Sequence, residues 1–347
     1  MAEARQPGAA ARPGMLHRLA WGAAAAGGRA GALVILALLM LVFFVATPNF
    51  LTTGNLLNVL RQFSVTAILA VAQTMVIISG GIDLSVASTA ALSGSLMAVS
   101  FAHWGWPEPV AWLLGLTAGV AVGAVNGLVI SRWRVPDIIA TLGTFSAVRG
   151  VALLVTNGLP VPEFSRVVEG RRIPPSVAGL GAGSVAGIPL IAVVAGVCAV
   201  AGWFVLTRTK LGRSTFAVGG NREAAHASGI SVARTKLRIY VLSGLLAAVA
   251  GMMLTGRLAS ANALMGEGME LQSIAAVVVG GSNLFGGEGT VGGTIIGVLI
   301  IGVLSNGLNI LGVAEFWQRV SNGLIIVVVV ALDQWRRRAT RRERSEL

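Results

Sequence analysis

From residue 31 almost to its end, the chain alternates long apolar runs with short polar breaks. Apolar stretches of roughly 17 to 23 residues follow one another between Gly31 and Leu332, and a helix needs about 20 such residues to cross a bilayer. The pattern predicts spans near 31–47, 62–79, 84–102, 109–131, 135–156, 188–206, 239–256, 271–285, 290–311 and 314–333. The expected fold class is all-α, a polytopic transmembrane helical bundle of about ten spans. The runs leave no room for a separate soluble domain, so 31–335 reads as one transmembrane domain between a disordered basic segment, 1–30, and a basic tail, 336–347. The first run, "ALVILALLMLVFFVATPNF", has no small-x-small cleavage site and reads as a retained span.

Two features stand out within this pattern. The fourth run places Gly115, Gly119, Gly123 and Gly127 four residues apart, on one helix face that admits a close neighbour. "VIISGGIDLS" at 76–85 and "VVVGGSNLFGG" at 277–287 are both apolar runs broken by paired glycines, a possible internal duplication. Between Asn157 and Gly187, Pro160, Pro162, Pro174 and Pro175 break any long helix.

Composition supports the membrane reading and adds a direction. The chain is 55% hydrophobic and 12% charged, where soluble domains carry about a quarter charged residues. The net charge of +12 raises the question of nucleic acid. Nineteen of the 26 basic residues, however, lie at Arg5–Arg29, Arg132 with Arg134, Arg208–Arg238 and Arg336–Arg344. These clusters flank apolar runs and alternate with basic-poor loops, the arrangement of cytoplasmic segments in a membrane protein. The expectation is both termini and the 207–238 loop inside, the 157–187 loop outside, and no nucleic-acid partner. Cys198 is the single cysteine, so no disulfide forms within the chain.

The chemistry is mostly one of exclusions. Neither lysine, Lys210 or Lys236, follows a glycine, so the chain has no G-x-x-x-x-G-K-[ST] phosphate loop. No H-E-x-x-H or other catalytic arrangement of histidines occurs, and the chain is not read as an enzyme. Ion-driven carriers keep ionisable groups within their spans. Asp83, Glu267, Glu270 and Glu288 instead fall at or near predicted span ends. Asp83 is open to two readings, an ion relay or a helix cap after paired glycines.

The 207–238 loop carries its own helix signal in "GGNREAAHASGISVARTK", residues 219–236. Asn221 suits an N-cap, Glu223 the first turn and Gly229 a left-handed end, which predicts a helix over 222–228. Isolated helices shorter than about 12 residues are marginal in water, so something must hold this one. Its small surface of Ala224, Ala225, Ala227 and Ser228 suits a groove of another protein, or the helix lies on lipid headgroups.

At these residues the sequence resembles a known family. "EAAHASG" fits the E-A-A-x-x-x-G loop of permease subunits of ATP-binding-cassette importers. "VPDIIATLGTFSAVRGVALLVTNG", "GGIDLSVAS" and "VVVGGSNLFGGEGTVGGTIIG" resemble the ribose-type, monosaccharide branch, and the resemblance runs from about Asn55 to Trp335. It implies that Arg222, Glu223, Ala224, Ala225 and Gly229 form a coupling helix that docks on a separate ATPase subunit. It further implies two permease copies or paralogues forming the path, an external sugar-binding protein, no cofactor in this chain with ATP held by the partner, and a bacterial plasma membrane location. Two departures accompany it: the proline that follows this loop in many importers is absent, and Asp137 stands after Pro136 where a neutral residue is expected.

A neutral hydrophilic solute suits the polar groups scattered in or near the spans, and Gln73, Thr74, Asp83, Asn126, Asn283 and Asn306 are the candidate translocation path. Each equally suits bonding between helices. The rival functions are an ion-coupled secondary carrier, which needs a buried acid within a span, and a structural membrane protein, which gives no reason for the capped loop.

Overall fold

The computed structural model describes residues 29–314 together with 316–318, 320, 323 and 324. The helices are α1 (Arg29–Ala46), α2 (Thr53–Ile78), α3 (Val86–Ala102), α4 (Glu108–Arg132), α5 (Asp137–Thr156), α6 (Pro175–Ala182), α7 (Leu190–Arg208), α8 (Lys210–Gly220), α9 (Arg222–Ala227), α10 (Val232–Leu258), α11 (Met269–Val279) and α12 (Val291–Ile310). Nine of the ten predicted runs coincide with helices. Most of the tenth, 314–333, lies outside the described residues, as do the segments 1–28 and 325–347. Among the described residues, six helices, α2, α4, α5, α7, α10 and α12, are long and apolar enough to cross a membrane. The apolar helices α3 and α11 are shorter. Among the described residues, β structure is confined to a two-residue antiparallel ribbon, β1 (Ser184–Val185) with β2 (Ile188–Pro189), and an isolated bridge between Val161 and Ala261.

Core and periphery separate clearly. Every residue of α2 from Phe63 to Ile78 is buried, and α10 is buried along most of its length. In contrast, α5 and α7 turn Ile139, Leu142, Leu154, Val197, Val200 and Phe204 outward. A surface this apolar belongs in lipid. Spans that pack together there leave lipid rather than water, so no hydrophobic gain holds them, and close packing with interhelical hydrogen bonds decides the arrangement.

The glycine row of α4 shows how. Gly115, Gly119, Gly123 and Gly127 are all buried. A Cβ on Gly119 would overlap the Gly244 carbonyl oxygen, one on Gly123 the Tyr240 carbonyl oxygen, and one on Gly127 would press on Leu237. Gly119, Gly123 and Gly127 therefore lie along α10, Gly115 faces Ser93 and Met97 of α3, and Gly244 of α10 faces back into α4, giving the most extensive helix pair among the described residues.

At the end where α3 stops, the 157–189 segment is tied down. Val161 and Ala261 exchange two backbone hydrogen bonds of 2.8 Å, and Trp112 Nε1 donates to Ser176 Oγ at 3.0 Å. Prolines 174 and 175 do not merely interrupt: Pro175 starts the short helix α6, where its missing N–H costs nothing.

The packing gives a test. Gly123→Leu places a side chain against the α10 backbone and should cost roughly 1–3 kcal/mol or more, lowering the thermal midpoint and the detergent-extracted yield. Gly143→Leu on α5, where nothing lies within 4 Å of the added Cβ, should leave both unchanged.

Candidate functional site

The loop that joins α7 to α10 folds as two helices meeting at one residue. Thr209 Oγ1 accepts from Gly212 N at 3.2 Å and opens α8. Asn221 closes α8 and opens α9, its Oδ1 accepting from Ala224 N at 2.9 Å. Glu223 occupies the first turn. Gly229, at φ +80°, turns the chain out of α9, with its N–H donating to His226 O and the Ile230 N–H to Ala225 O. A residue with a Cβ resists that φ, so glycine ends this helix. The structure thus has the capped helix expected from the sequence, one residue shorter, with Ser228 at its C-cap. Only Ala225 of α9 is buried, while Arg222, Glu223 and Ala224 stay open beside a groove of about 600 Å³ lined also by Arg134, His226 and Ser231.

Behind α9 lies a junction of bare backbone. α8 ends in Gly219 and Gly220, which sit between the two interrupted runs that echo each other in sequence. The Gly287 N–H, after α11, donates to the Ile78 carbonyl at the end of α2 over 2.9 Å. A Cβ on Gly219 would overlap that same Ile78 oxygen, and one on Gly286 would crowd Gly80 and the Gly219 carbonyl. The two glycine breaks and the end of α8 therefore touch main chain to main chain.

An ion pair stands beside this junction. Lys236 Nζ lies 2.6 Å from Asp137 Oδ2, and Tyr240 OH donates to the same oxygen at 2.7 Å. Lys236 and Tyr240 are buried, and a Cβ on Gly81 would strike the carboxylate. The pair fixes the first turn of α5 to α10, two turns beyond α9. Asp137, out of place in the sequence pattern, is the partner of one of the chain's two lysines and of its single tyrosine.

A second polar chain runs deeper. Asp83 Oδ1 accepts from the N–H and Oγ of Ser85, and its Oδ2 from Ser243 Oγ at 2.9 Å. Asn126 Nδ2 donates to Ser85 Oγ at 2.8 Å, and Thr144 Oγ1 to Asn126 Oδ1 at 2.7 Å. With its amide oriented to satisfy both atoms, Gln73 pairs with the Asp83 backbone N–H and C=O at 3.2 Å. Asp83 is buried. It bonds the N–H two residues ahead, while Ser85 holds the capping position of α3 with its hydroxyl turned to Asp83 and Asn126 and not to the helix N–H groups.

Of the six path candidates, Gln73, Asp83 and Asn126 thus come together in one network joining α2, α3, α4, α5 and α10. Thr74 pairs instead with Thr294 of α12 at 2.6 Å. Asn306 exchanges two hydrogen bonds with Asn55, and Asn283 sits in the turn after α11, its Oδ1 accepting from Phe285 N. Sequence reading singled out Asp137 as out of place without giving it a partner, and missed the parts played by Gly219, Lys236 and Tyr240. The available signals were the paired glycines ahead of Asn221 and the rarity of Lys and Tyr.

Comparison with known proteins matches residues 55–330 to the family described as the permease component of branched-chain amino acid transport systems. The chain is 42% identical to the ribose import permease protein of Escherichia coli K12, covering 86% of this chain and 92% of that protein. The ribose import permease protein of Bacillus subtilis 168 is also 42% identical, over 86% and 90% of the two chains. The xylose transport system permease protein of Haemophilus influenzae is 35% identical, over 87% and 94%. No solved structure matches.

The ion pair yields a stability prediction. Asp137→Ala leaves the Lys236 charge buried alone and should cost on the order of 3 kcal/mol, read as a lowered thermal midpoint of the purified chain. The double variant Asp137→Leu with Lys236→Met removes both charges and should recover most of the loss. Equal losses in the single and double variants would show that the carboxylate acts otherwise than by pairing Lys236.

Proposed function

This chain belongs to the permease-component family matched over residues 55–330, and from that premise we propose that it is the membrane-spanning permease subunit of an ATP-driven monosaccharide importer. The substrate class rests on the relatives, ribose and xylose permeases by name, each aligned over nearly the whole of both chains. The family description mentions branched-chain amino acids, and leucine is accordingly the control solute in the test below.

The observation that carries the coupling role is α9. An exposed helix of six residues, capped at both ends and seated on the bundle by one buried alanine, is a ready docking surface with little stability of its own. In the proposed assembly an ATPase subunit receives Arg222, Glu223 and Ala224, while Ala225 and Gly229 hold the helix in register. ATP is bound by that partner, since the sequence has no phosphate loop. Two permeases form the path, and an external binding protein delivers the sugar. The basic clusters set the orientation, with α8, α9 and both termini on the cytoplasmic side of the plasma membrane. About ten spans, including one over 314–333, complete the domain between the basic segments 1–30 and 336–347. Gln73, Thr74, Asp83, Asn126 and Asn306 enter this proposal as groups that shape the path by holding its helices, and Asn283 as the group that closes the turn after α11, because each already has partners within the chain.

Uptake into proteoliposomes is the test. The chain alone should take up no ribose or xylose under a proton or sodium gradient, and uptake should appear once ATPase, ATP and loaded binding protein are supplied. Gradient-driven accumulation by the chain alone would replace this reading with an ion-coupled carrier, and ATP-driven uptake of leucine but no sugar would replace the substrate class. In the assembled importer Gly229→Val, strained by about 1–2 kcal/mol at a left-handed position, should keep normal membrane insertion and lose most ATP-driven uptake.

A further inference from the structure

The bundle holds a second cavity at the end away from α9. It measures about 710 Å³ and lies between the outer part of α2, the end of α10, the start of α11 and the outer part of α12. That size is within the range of small-molecule sites. Its lining combines Gln62, Thr66, Gln272 and Ser305 with the ring of Phe63 and three charged groups, Arg257, Glu267 and Glu270.

Glu270 is the informative member. Its Oε1 accepts from Gly268 N at 3.3 Å, the ordinary task of an acidic residue in a first helical turn. Its Oε2 has no hydrogen-bond partner, although the residue is only 8% exposed. A buried carboxylate oxygen left unmatched costs more than a hydrogen bond returns, which marks it as waiting for a donor.

The wall that carries Glu270 is held firmly. Val161 and Ala261 pair through two backbone bonds, and Arg149 Nη1 donates to Ala263 O and to Met265 O from behind. Gly266 and Gly268, at φ +74° and +84°, then turn the chain into α11. The other end of α11 leads to Gly280, whose added Cβ would overlap the Gly293 carbonyl oxygen, and on to the Gly286–Gly287 turn against α8. One eleven-residue helix thus runs from this cavity to the junction behind α9.

We propose that this cavity is a transient binding subsite for a neutral polyhydroxylated solute, with Glu270 Oε2 accepting a sugar hydroxyl. Amide and hydroxyl side chains match the remaining hydroxyls as donors and acceptors. Phe63 adds an apolar wall suited to the C–H surface of a sugar ring. Two carboxylates, Glu267 and Glu270, line the cavity with one guanidinium, Arg257, whose Nη1 already donates to the Arg61 and Gln62 carbonyls, a balance that favours hydroxyl donors over anions. α11 then carries the state of the subsite to the junction with α8. This proposal rests on the sugar-importer reading above.

The test uses the full chain in nanodiscs with a cysteine introduced by Ser305→Cys, the natural Cys198 being buried. Ribose or xylose at high millimolar concentration should slow maleimide labelling of that cysteine several-fold, and leucine should not. Adding Glu270→Gln should abolish the protection while leaving the sugar-free labelling rate unchanged. Gln272→Leu, at a partly exposed position, should weaken protection if Glu270→Gln fails to fold. Protection that persists in both variants overturns the subsite. So does the absence of protection by any sugar that the assembled parent importer takes up, an outcome that leaves the importer reading standing. Failure of the assembled parent to take up any sugar defeats the importer reading itself, and the subsite with it.

Discussion

A helix that stops inside an apolar slab leaves carbonyl and N–H groups that lipid cannot satisfy, each at a cost of several kcal/mol. This chain interrupts two of its helices near one place, after Ile78 and after Val279. Both interruptions must therefore be enclosed by protein, and the enclosure consists of main chain. Gly287 supplies the N–H that the Ile78 carbonyl lacks, and Gly219, Gly80 and Gly286 let the three segments approach to backbone contact. The rest of that end is arranged around this requirement. α8 must deliver Gly219 into the gap, Asn221 must follow at once, and α9 inherits its position from the turn.

The consequence is mechanical. α9 is too short to be rigid alone, yet it is continuous through Asn221 with a junction that has no side chains to give way. Lys236, Asp137 and Tyr240 brace α5 against α10 beside it. Packed backbone contacts do not deform gradually, because interiors are dense and offer discrete arrangements. In the proposed importer a push on α9 would reach both interrupted helices at once through these contacts.

Much of this was legible in the sequence, and what was missed has a common reason. Spans follow from apolar length, and the cap, first-turn acid and terminal glycine of α9 follow from local chemistry within nine residues, 221–229. The glycine row of α4 announced a close neighbour but could not name α10, because helical spacing gives a face and no partner. Asp137 meets Lys236 across 99 residues and Asn306 meets Asn55 across 251. Pairings at such separation leave no periodic trace. For Asn306 and Thr74 the sequence therefore left solute contact and bonding between helices both open, and the fold engages each with another helix. Glu270 reads in the sequence as a span-end acid of no special interest. Its significance comes from an unmatched oxygen in a cavity, which only the fold reveals.

The central claim is that α9 and the interrupted helices move as one body. Spin labels at Ser228, in the exposed turn after α9, and at Phe285, exposed in the turn after α11, report on it directly. The measurement is their distance distribution by pulsed electron resonance in the assembled importer, with and without ATP bound to the ATPase. The account predicts that this distance holds constant across nucleotide states while the distance from Ser228 to its counterpart on the second permease changes. A shift of the Ser228-to-Phe285 distance by a helical turn or more would show that α9 swings independently and would contradict the account.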